Sequence, residues 1–260
     1  MITSPHNPRL KLVRALQRRP RARRKERAFV IEGVRLVEEA LASGWPFRFA
    51  LYAANLNERG RSLVEAIRAA GWPVEETHPD LLRAVSDTAT PQGVLAVLEE
   101  HPRPLPPHPT FLLIPDSVRD PGNLGTLLRT AAAARVDAVL IPPGTTDAFA
   151  PKVLRAGMGA HFRLPIHALT WEEIVSRCDA WGLRLMLAEM AGTPCWEADL
   201  RAPLALVIGG EAEGASAEAR ARAETTLGIP MPGDGESLNA AVAGAILIFE
   251  VVRQRLRGEP

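Results

Sequence analysis

The chain is poor in cysteine and in long apolar runs. Its two cysteines, Cys178 and Cys195, are too few for a disulfide framework and lie in no Cys-x-x-Cys metal-binding pattern. The longest apolar run, residues 240–249, has ten residues, whereas a membrane-spanning helix needs about 20. No apolar stretch suited to a signal peptide opens the chain. These absences argue against a disulfide scaffold and a membrane-spanning protein, and they predict a cytoplasmic protein without a metal site.

Aromatic residues are scarce as well. They make up 5% of the chain and include one tyrosine, so no side chain stands out as a platform for stacking nucleic-acid bases. Hydrophobic residues make up 47% of the 260 residues and charged residues 23%, which is ordinary for a globular protein. At about 100–200 residues per domain, the chain forms one large or two small domains. Collagen-like and disordered chains are excluded.

Basic residues are concentrated at one end of the chain. Residues 1–30 contain ten Lys or Arg and one acid, whereas the other residues contain 21 basic and 29 acidic side chains. All but three of the bases are arginine, whose planar guanidinium suits phosphate; a GC-rich genome or a heat-adapted host would also enrich arginine. The asymmetry predicts that the N-terminal end holds a polyanion. The alternative interpretation is a solvated surface helix.

A proline-rich segment divides the chain. Residues 101–109 contain five prolines, which predict a stiff, extended linker. We therefore predict two domains, residues 1–100 and 110–260. The first is expected to be a small α/β unit behind a basic leader. The second alternates strands with helices, one of them opened by the capping-box pattern of Thr170 and Glu173, and this order is typical of a parallel sheet covered on both faces.

Ligands of open parallel sheets bind beyond the carboxyl ends of the strands, and two loops there follow buried strands. In residues 116–130, Asn123 is predicted to cap the next helix, and Arg129 lies off the apolar stripe of that helix, near the ligand edge. In residues 209–214, the glycines allow a ligand to approach the backbone closely. Taken singly, these loops also fit a capped helix with a solvated arginine and an ordinary turn.

A third loop, residues 229–239, leads into a final helix that is apolar on all sides for almost three turns. Such a helix is buried, either in the core of its domain or against a partner subunit. Ser237 and Asn239 fall at its N-terminus, where polar ligand groups bind; the alternative for Ser237 is a plain N-cap. None of the three loops matches the P-loop or the dinucleotide fingerprint.

Together the three loops resemble the signature motifs of a known family. The sequences NLGTLLRTA (123–131), LVIGGEAEG (206–214) and IPMPGDGESLNAAVAGAILIFEVVRQR (229–255) are similar, in order and spacing, to those of the SpoU/TrmH family of RNA ribose 2′-O-methyltransferases, in the SPOUT superfamily. Residues 2–11 and 29–33 resemble the family's N-terminal substrate-binding domain. The resemblance implies an α/β fold, with a knotted parallel-sheet methyltransferase domain after a smaller α/β RNA-binding domain. It also implies a homodimer through the methyltransferase domain and S-adenosylmethionine as cofactor.

The resemblance further implies the site residues. The family's catalytic polar set falls on Asn123, Arg129, Glu211, Ser237 and Asn239. The second motif reads Gly-Gly-Glu here, where the family often has Gly-Asn-Glu or Gly-Ala-Glu, but Glu211 stays in register. Main-chain groups of the motif loops hold the cofactor in this family, and the corresponding positions are Gly209, Ile229, Met231 and Leu238.

The chemistry of methyl transfer places its own demands on these residues. A ribose 2′-hydroxyl attacks the sulfonium methyl in line and a neutral thioether leaves, so the reaction needs alignment and removal of the hydroxyl proton. A guanidinium is effectively always protonated and is a poor base. We therefore expect Arg129 to bind the phosphate next to the target ribose and to stabilise the developing alkoxide. Glu211, from the same or the neighbouring subunit, would orient Arg129, and the remaining polar residues would position the ribose and the cofactor loop.

The basic leader is expected to bind RNA phosphates without reading sequence. Its predicted contacts are Lys11, Arg14, Arg18, Arg19, Arg21, Arg23, Arg24 and Lys25. A separate N-terminal domain of this kind is typical of the family's rRNA enzymes, so rRNA is the expected substrate. A tRNA 2′-O-methyltransferase, or a non-catalytic RNA-binding assembly protein on the same fold, are the alternatives.

Overall fold

The computed structural model describes residues 1–211, 213–233 and 237–257, and it divides into two compact units. The first unit contains residues 1–101 and 149–162, and the second contains the rest of the chain. The chain passes from the first unit to the second inside the proline-rich segment. It also returns to the first unit over residues 149–162, an excursion that no composition change in the sequence indicates. Among the described residues, no helix combines the length and the hydrophobicity needed to cross a membrane.

Strands and helices alternate through most of the chain. The strands are β1 (Ala28–Glu32), β2 (Phe47–Tyr52), β3 (Val74–Glu76), β4 (Val94–Glu99), β5 (Phe111–Asp116), β6 (Ala138–Ile141), β7 (Ile166–Ala168), β8 (Arg184–Pro194), β9 (Leu204–Gly209) and β10 (Thr225–Gly228). The helices are α1 (Pro8–Arg18), α2 (Pro20–Glu26), α3 (Val34–Ala42), α4 (Glu58–Ala69), α5 (Pro79–Val85), α6 (Pro121–Ala133), α7 (Pro151–Gly157), α8 (Trp171–Trp181), α9 (Ala217–Arg222) and α10 (Ala240–Arg257).

The first unit is built on a four-stranded mixed sheet in the order β1-β4-β2-β3. Alternation along β1 sends Phe29 and Ile31 to one hydrophobic cluster and Ala28 and Val30 to another. The first cluster includes side chains of α3, α4 and α7, and the second includes side chains of α1 and α5. Helices therefore cover both faces of this sheet, and the predicted α/β unit is confirmed.

The second unit is built on a six-stranded sheet in the order β10-β8-β9-β5-β6-β7, with every pair parallel. The predicted parallel sheet is therefore confirmed. α8 and α9 pack on one side of it around Leu112 and Val207. α6 and α10 contact each other and the central strands β5 and β9. They approach closely at Gly244, where an added Cβ would lie 2.3 Å from the Leu127 side chain.

Two helix starts show how well local signals predict structure. The predicted capping box at α8 is present, since Thr170 Oγ1 accepts from the Glu173 amide and Glu173 Oε2 accepts from the Thr170 amide. The predicted cap of α6 is wrong. Asp120, not Asn123, caps that helix, because the helix begins at Pro121 and the Asp120 carboxylate accepts from the Asn123 amide at 2.8 Å.

The basic leader forms two helices, and one of its arginines is structural. α1 and α2 meet at Arg19, and Arg23 turns back from α2 to the end of α1. Its guanidinium donates to the carbonyl of Leu16 at 2.6 Å, and the side chain is buried, at 6% exposed. Arg23 thus satisfies a carbonyl that the end of α1 leaves without a helical partner. The burial of its guanidinium and its bond to Leu16 argue against its predicted role as an RNA contact.

We predict that Arg23→Ala destabilises the first unit, whereas Arg24→Ala does not. The first change leaves the buried carbonyl of Leu16 at the end of α1 without a donor, which costs about 1–3 kcal/mol. Arg24 is the adjacent exposed residue of the same helix and serves as the control, with an expected change within about 0.5 kcal/mol. Urea denaturation measures both values. Equal stability of the two variants would contradict the structural role of Arg23.

Candidate active site

Three polar side chains from three separate loops meet at the carboxyl edge of the parallel sheet. Asn123 lies in the first turn of α6, Glu211 follows β9, and Asn239 precedes α10. The Asn123 amide donates from Nδ2 to Glu211 Oε1 at 2.7 Å, and Asn239 Nδ2 donates to Asn123 Oδ1 at 3.0 Å. A carboxylate accepts hydrogen bonds and cannot donate them. Glu211 therefore requires Asn123 to present its NH2 group to it, which leaves the Asn123 oxygen to accept from Asn239.

Both asparagines are held by helix ends. Because Asp120 takes over the capping of α6, the Asn123 side chain is available to Glu211. Asn239 is the true cap of α10, since its Oδ1 accepts from the amides of Ala241 at 2.9 Å and Val242 at 3.2 Å. That leaves Asn239 Nδ2 to face Asn123. The alternative of Ser237 as the N-cap is wrong, because the cap lies two residues later.

The loops around Glu211 fit closely because glycines occupy the contact points. An added Cβ on Gly210 would lie 2.1 Å from the carbonyl oxygen of Ser117, and one on Gly209 would lie 2.5 Å from the backbone nitrogen of Ala215. Real Cβ atoms do not come so close to backbone atoms, so neither position accepts a larger residue without separation of the loops. The backbone amide of Arg119 also reaches Glu211, donating to Oε2 at 3.4 Å.

A cavity of about 440 Å³ opens beside Glu211. The four residues predicted to bind the cofactor all line it, and so do two of the predicted catalytic residues; these six are Gly209, Ile229, Met231, Leu238, Glu211 and Ser237. Most of the remaining wall is apolar and includes Ile208, Leu227 and Leu247, while Glu189 and Arg220 are its charged members. The third motif passes through residues 234–236, which lie outside the described residues.

Asp116, the last residue of β5, is a site residue that the sequence reasoning missed. It is fully buried, and its carboxylate accepts from the backbone amide of Ser216 at 2.5 Å and from the Ser216 hydroxyl at 3.1 Å. Ser216 in turn caps α9. Asp116 therefore fixes the start of α9 against the end of β5. An aspartate that ends an apolar strand at the ligand edge was the signal that could have identified it.

Arg129 does not join the cluster around Glu211 within one chain. It lies six residues after Asn123 in α6, about 9 Å along the helix axis, and its side chain is exposed. Over residues 1–211, 213–233 and 237–257, its guanidinium forms no hydrogen bond or ion pair. Glu211 is bonded to Asn123 and to the Arg119 backbone instead. Orientation of Arg129 by the Glu211 of its own chain is therefore absent from this structure.

The rest of the basic leader is open to solvent. Six of its predicted RNA contacts are exposed, namely Lys11, Arg18, Arg19, Arg21, Arg24 and Lys25. Arg14 is half-buried and donates to the carbonyl of Pro5 at 3.2 Å. The structure thus presents a basic surface on α1 and α2 from which Arg23 alone of the predicted set is withdrawn.

Neither cysteine belongs to the cavity wall or to the polar cluster around Glu211. Both thiols are buried and free. Burial raises the pKa of the Cys178 thiol to about 12 and also raises the pKa of Cys195, and a protonated thiol is a poor nucleophile and metal ligand. Among the described residues, no three His, Cys, Asp or Glu side chains come together as a metal site.

Comparison with known families decides the assignment. Residues 110–249, more than half of the chain, match the model of the SpoU rRNA Methylase family. The chain belongs to the SpoU rRNA methylase family. Residues 7–96 match the model of an MRM3-like substrate binding domain. The SpoU match contains the cavity and the Asn123–Glu211–Asn239 cluster, and the second match contains the basic surface of α1 and α2.

Individual SpoU relatives span both matched regions. The 23S rRNA (guanosine(2553)-2′-O)-methyltransferase RlmP of Bacillus subtilis is 36% identical over 88% of this chain and 90% of its own. The mitochondrial rRNA methyltransferase 3 of Homo sapiens is 33% identical over 98% of this chain and 74% of its own. The crystal structure of the SpoU methyltransferase AviRb from Streptomyces viridochromogenes, in complex with the cofactor AdoMet, is 29% identical, covers 97% of this chain and 100% of its own, and has a TM-score of 0.87.

Proposed function

We propose that this protein is an S-adenosylmethionine-dependent RNA 2′-O-ribose methyltransferase that acts on rRNA. One observation carries the proposal: Glu211 belongs both to the wall of the cavity and to the polar cluster with Asn123 and Asn239. A small-molecule site and a polar site for a second substrate therefore share one carboxylate. That arrangement suits a group-transfer enzyme, in which donor and acceptor must be held side by side.

The cavity fits the cofactor. Its volume lies in the range of about 300–1,000 Å³ found for small-molecule sites, and its apolar walls suit a purine ring. Ile229 and Leu238 line it, and their backbone amides donate no backbone hydrogen bond to other described residues, so these amides are available to a ligand. Gly209 lines the cavity as well, and its lack of a side chain lets the backbone at Ala215 pack against it. When bound, S-adenosylmethionine supplies an electrophilic methyl group on a sulfonium.

The protein then contributes to the reaction by positioning the target ribose and by stabilising developing negative charge. Asn123 and Asn239 offer amide groups next to Glu211 for the target ribose, and Ser237 adds a hydroxyl at the cavity. Arg129 binds the adjacent RNA phosphate and stabilises the negative charge that develops as the 2′-hydroxyl loses its proton. Since Glu211 and Arg129 do not meet within one chain, we propose that Glu211 of one protomer orients the partner's Arg129.

The choice of rRNA is supported by the relatives. RlmP and the human mitochondrial enzyme are both named for activity on rRNA, and the similarity to each extends through the N-terminal unit. Transfer of tritiated methyl groups onto purified rRNA and tRNA pools tests the proposal. We expect label in rRNA. Label in tRNA alone would identify a tRNA enzyme, and no label in either pool would favour a non-catalytic RNA-binding protein. Action in the cytoplasm stays a prediction from composition.

We predict that Arg129→Ala abolishes most methyl transfer without weakening cofactor binding. Arg129 does not line the cavity, but its charge faces the developing alkoxide, and loss of one such group costs roughly 10²–10³-fold in kcat. Single-turnover methylation and calorimetry with S-adenosylmethionine measure the two effects. Arg135→Ala, which removes an exposed arginine just after the same helix, is the matched control. Near-normal turnover of Arg129→Ala would remove this residue from the mechanism.

The basic surface of α1 and α2 makes RNA affinity sensitive to salt. If its six exposed cations contact phosphates, a plot of log affinity against log salt should have a slope of about −4 to −5. Replacing Arg21 and Arg24 with Gln should make that slope shallower by about 1.5, as measured by filter binding with a 23S rRNA transcript. Arg177→Gln on α8 is the control. A slope near zero for the unmodified protein would contradict phosphate binding by this surface.

The final helix supports the proposed homodimer. α10 is only partly buried, and Val242, Ile246 and Phe249 are 48%, 40% and 49% exposed. Their spacing of four and three residues puts them on one face. The sequence alternatives were burial in the core or against a partner, and α10 uses one face for its own sheet and α6. We propose that the exposed apolar face packs against the same helix region of a second protomer.

We expect Phe249→Glu to convert the dimer into monomers, because it places a charge in the proposed apolar interface. Size-exclusion chromatography with light scattering measures the mass. Ala180→Glu, on the exposed side of α8, should leave the mass unchanged. A wild-type protein that is monomeric at micromolar concentration would overturn the proposed dimer.

A further inference from the structure

An ion pair stands in the wall of the cavity and is not explained by the polar cluster at Glu211. The guanidinium of Arg220 donates to Glu189 Oε1, and both residues line the cavity. Glu189 lies in β8, two residues beyond Leu187, where the pairing of β8 with β9 ends. It therefore projects from the carboxyl end of a central parallel pairing, the edge at which ligands of such sheets bind.

The position of Arg220 is fixed by the fold. Arg220 lies in α9, whose first residues are held by the cap Ser216, and Ser216 is anchored to the buried carboxylate of Asp116. The short helix cannot shift along the sheet without breaking these bonds. Arg220 is thus held close to Glu189 by a connection that runs back to the end of β5.

Stability does not account for the pair. The side chains of Arg220 and Glu189 are 49% and 27% exposed, and ion pairs as exposed as this one contribute about 0–1 kcal/mol. The surrounding wall is largely apolar or glycine. The second carboxylate in the described part of the wall, Glu211, already accepts from Asn123 and from the Arg119 backbone. Among the described residues of the cavity wall, Glu189 is therefore the carboxylate whose second oxygen, Oε2, is free to accept from a ligand.

We infer that Glu189 accepts hydrogen bonds from the ribose hydroxyls of S-adenosylmethionine, and that Arg220 is the positioning residue that orients its carboxylate. This inference rests on the proposed function. A carboxylate is acceptor-only, and a ribose diol presents two adjacent O–H donors. Nucleotide-binding parallel sheets use an acidic residue for the same purpose. The apolar wall then covers the adenine ring, and the ion pair marks the ribose end of the cavity.

The test compares two thioether ligands by calorimetry. S-adenosylhomocysteine and 5′-methylthioadenosine both carry the ribose diol, but only the first carries an amino-acid tail. Glu189→Gln should weaken both by a similar factor of about tenfold or more, because a hydrogen bond to a charged group is lost. Arg220→Ala should weaken both less, and Arg220→Lys should restore part of the loss. Glu189→Gln should weaken binding of 2′-deoxy-S-adenosylhomocysteine much less, because this ligand already lacks the 2′-hydroxyl that donates to Glu189.

A second ion pair on the same helix provides the matched control. Arg222 pairs with Glu172 at 3.6 Å, and neither residue lines the cavity; Glu172→Gln and Arg222→Ala should leave both affinities unchanged. Weakening of S-adenosylhomocysteine alone by Glu189→Gln would place the carboxylate at the amino-acid tail and overturn the inference, as would unchanged affinity for both ligands. Failure of the unmodified protein to bind S-adenosylmethionine would instead overturn the proposed function, and the inference with it.

Discussion

The hydrogen bonds that Glu211 receives organise the ligand edge of the second unit. Glu211 accepts from Asn123, which accepts from Asn239, although these residues are separated by 88 and 116 positions along the chain. A loop after one strand, the first turn of one helix and the cap of another are thereby held in one place. Since the carboxylate can only accept, the orientation of both amides follows from it. These side chains are thus held in place by the protein's own hydrogen bonds.

Close contact between backbones makes the neighbouring cavity possible. Gly209 and Gly210 lie so near the segments at Ala215 and Ser117 that a side chain would force them apart. Asp116 adds a second constraint by fixing the start of α9. The cavity and the polar cluster are therefore two sides of the same set of loops. A substitution that moves the cavity wall is therefore expected to move the polar cluster as well. Such coupling suits an enzyme that must hold a donor and an acceptor in line.

Local signals in the sequence predicted the parts of the fold that depend on neighbours along the chain. The Thr170–Glu173 capping box and the alternation of strands and helices are short-range patterns, and the structure reproduces both. The prediction failed where a distant or competing partner decides. Asp120 replaced Asn123 as the cap of α6, because Pro121 allows the helix to start earlier. Arg23, one base among many in the leader, became buried because the end of α1 offers it carbonyl acceptors.

The sequence by itself determined the family, the parallel sheet and which polar residues belong to the three motifs. It did so because motif order and hydrophobic periodicity are patterns of residues close together in the chain. Only the tertiary structure decided which of those residues touch. It joined Asn123, Glu211 and Asn239, left Arg129 apart from them, and placed Glu189 beside Arg220 in the cavity wall. The physical reason is that contacts between residues far apart in the chain depend on strand order and helix packing, which no local pattern encodes.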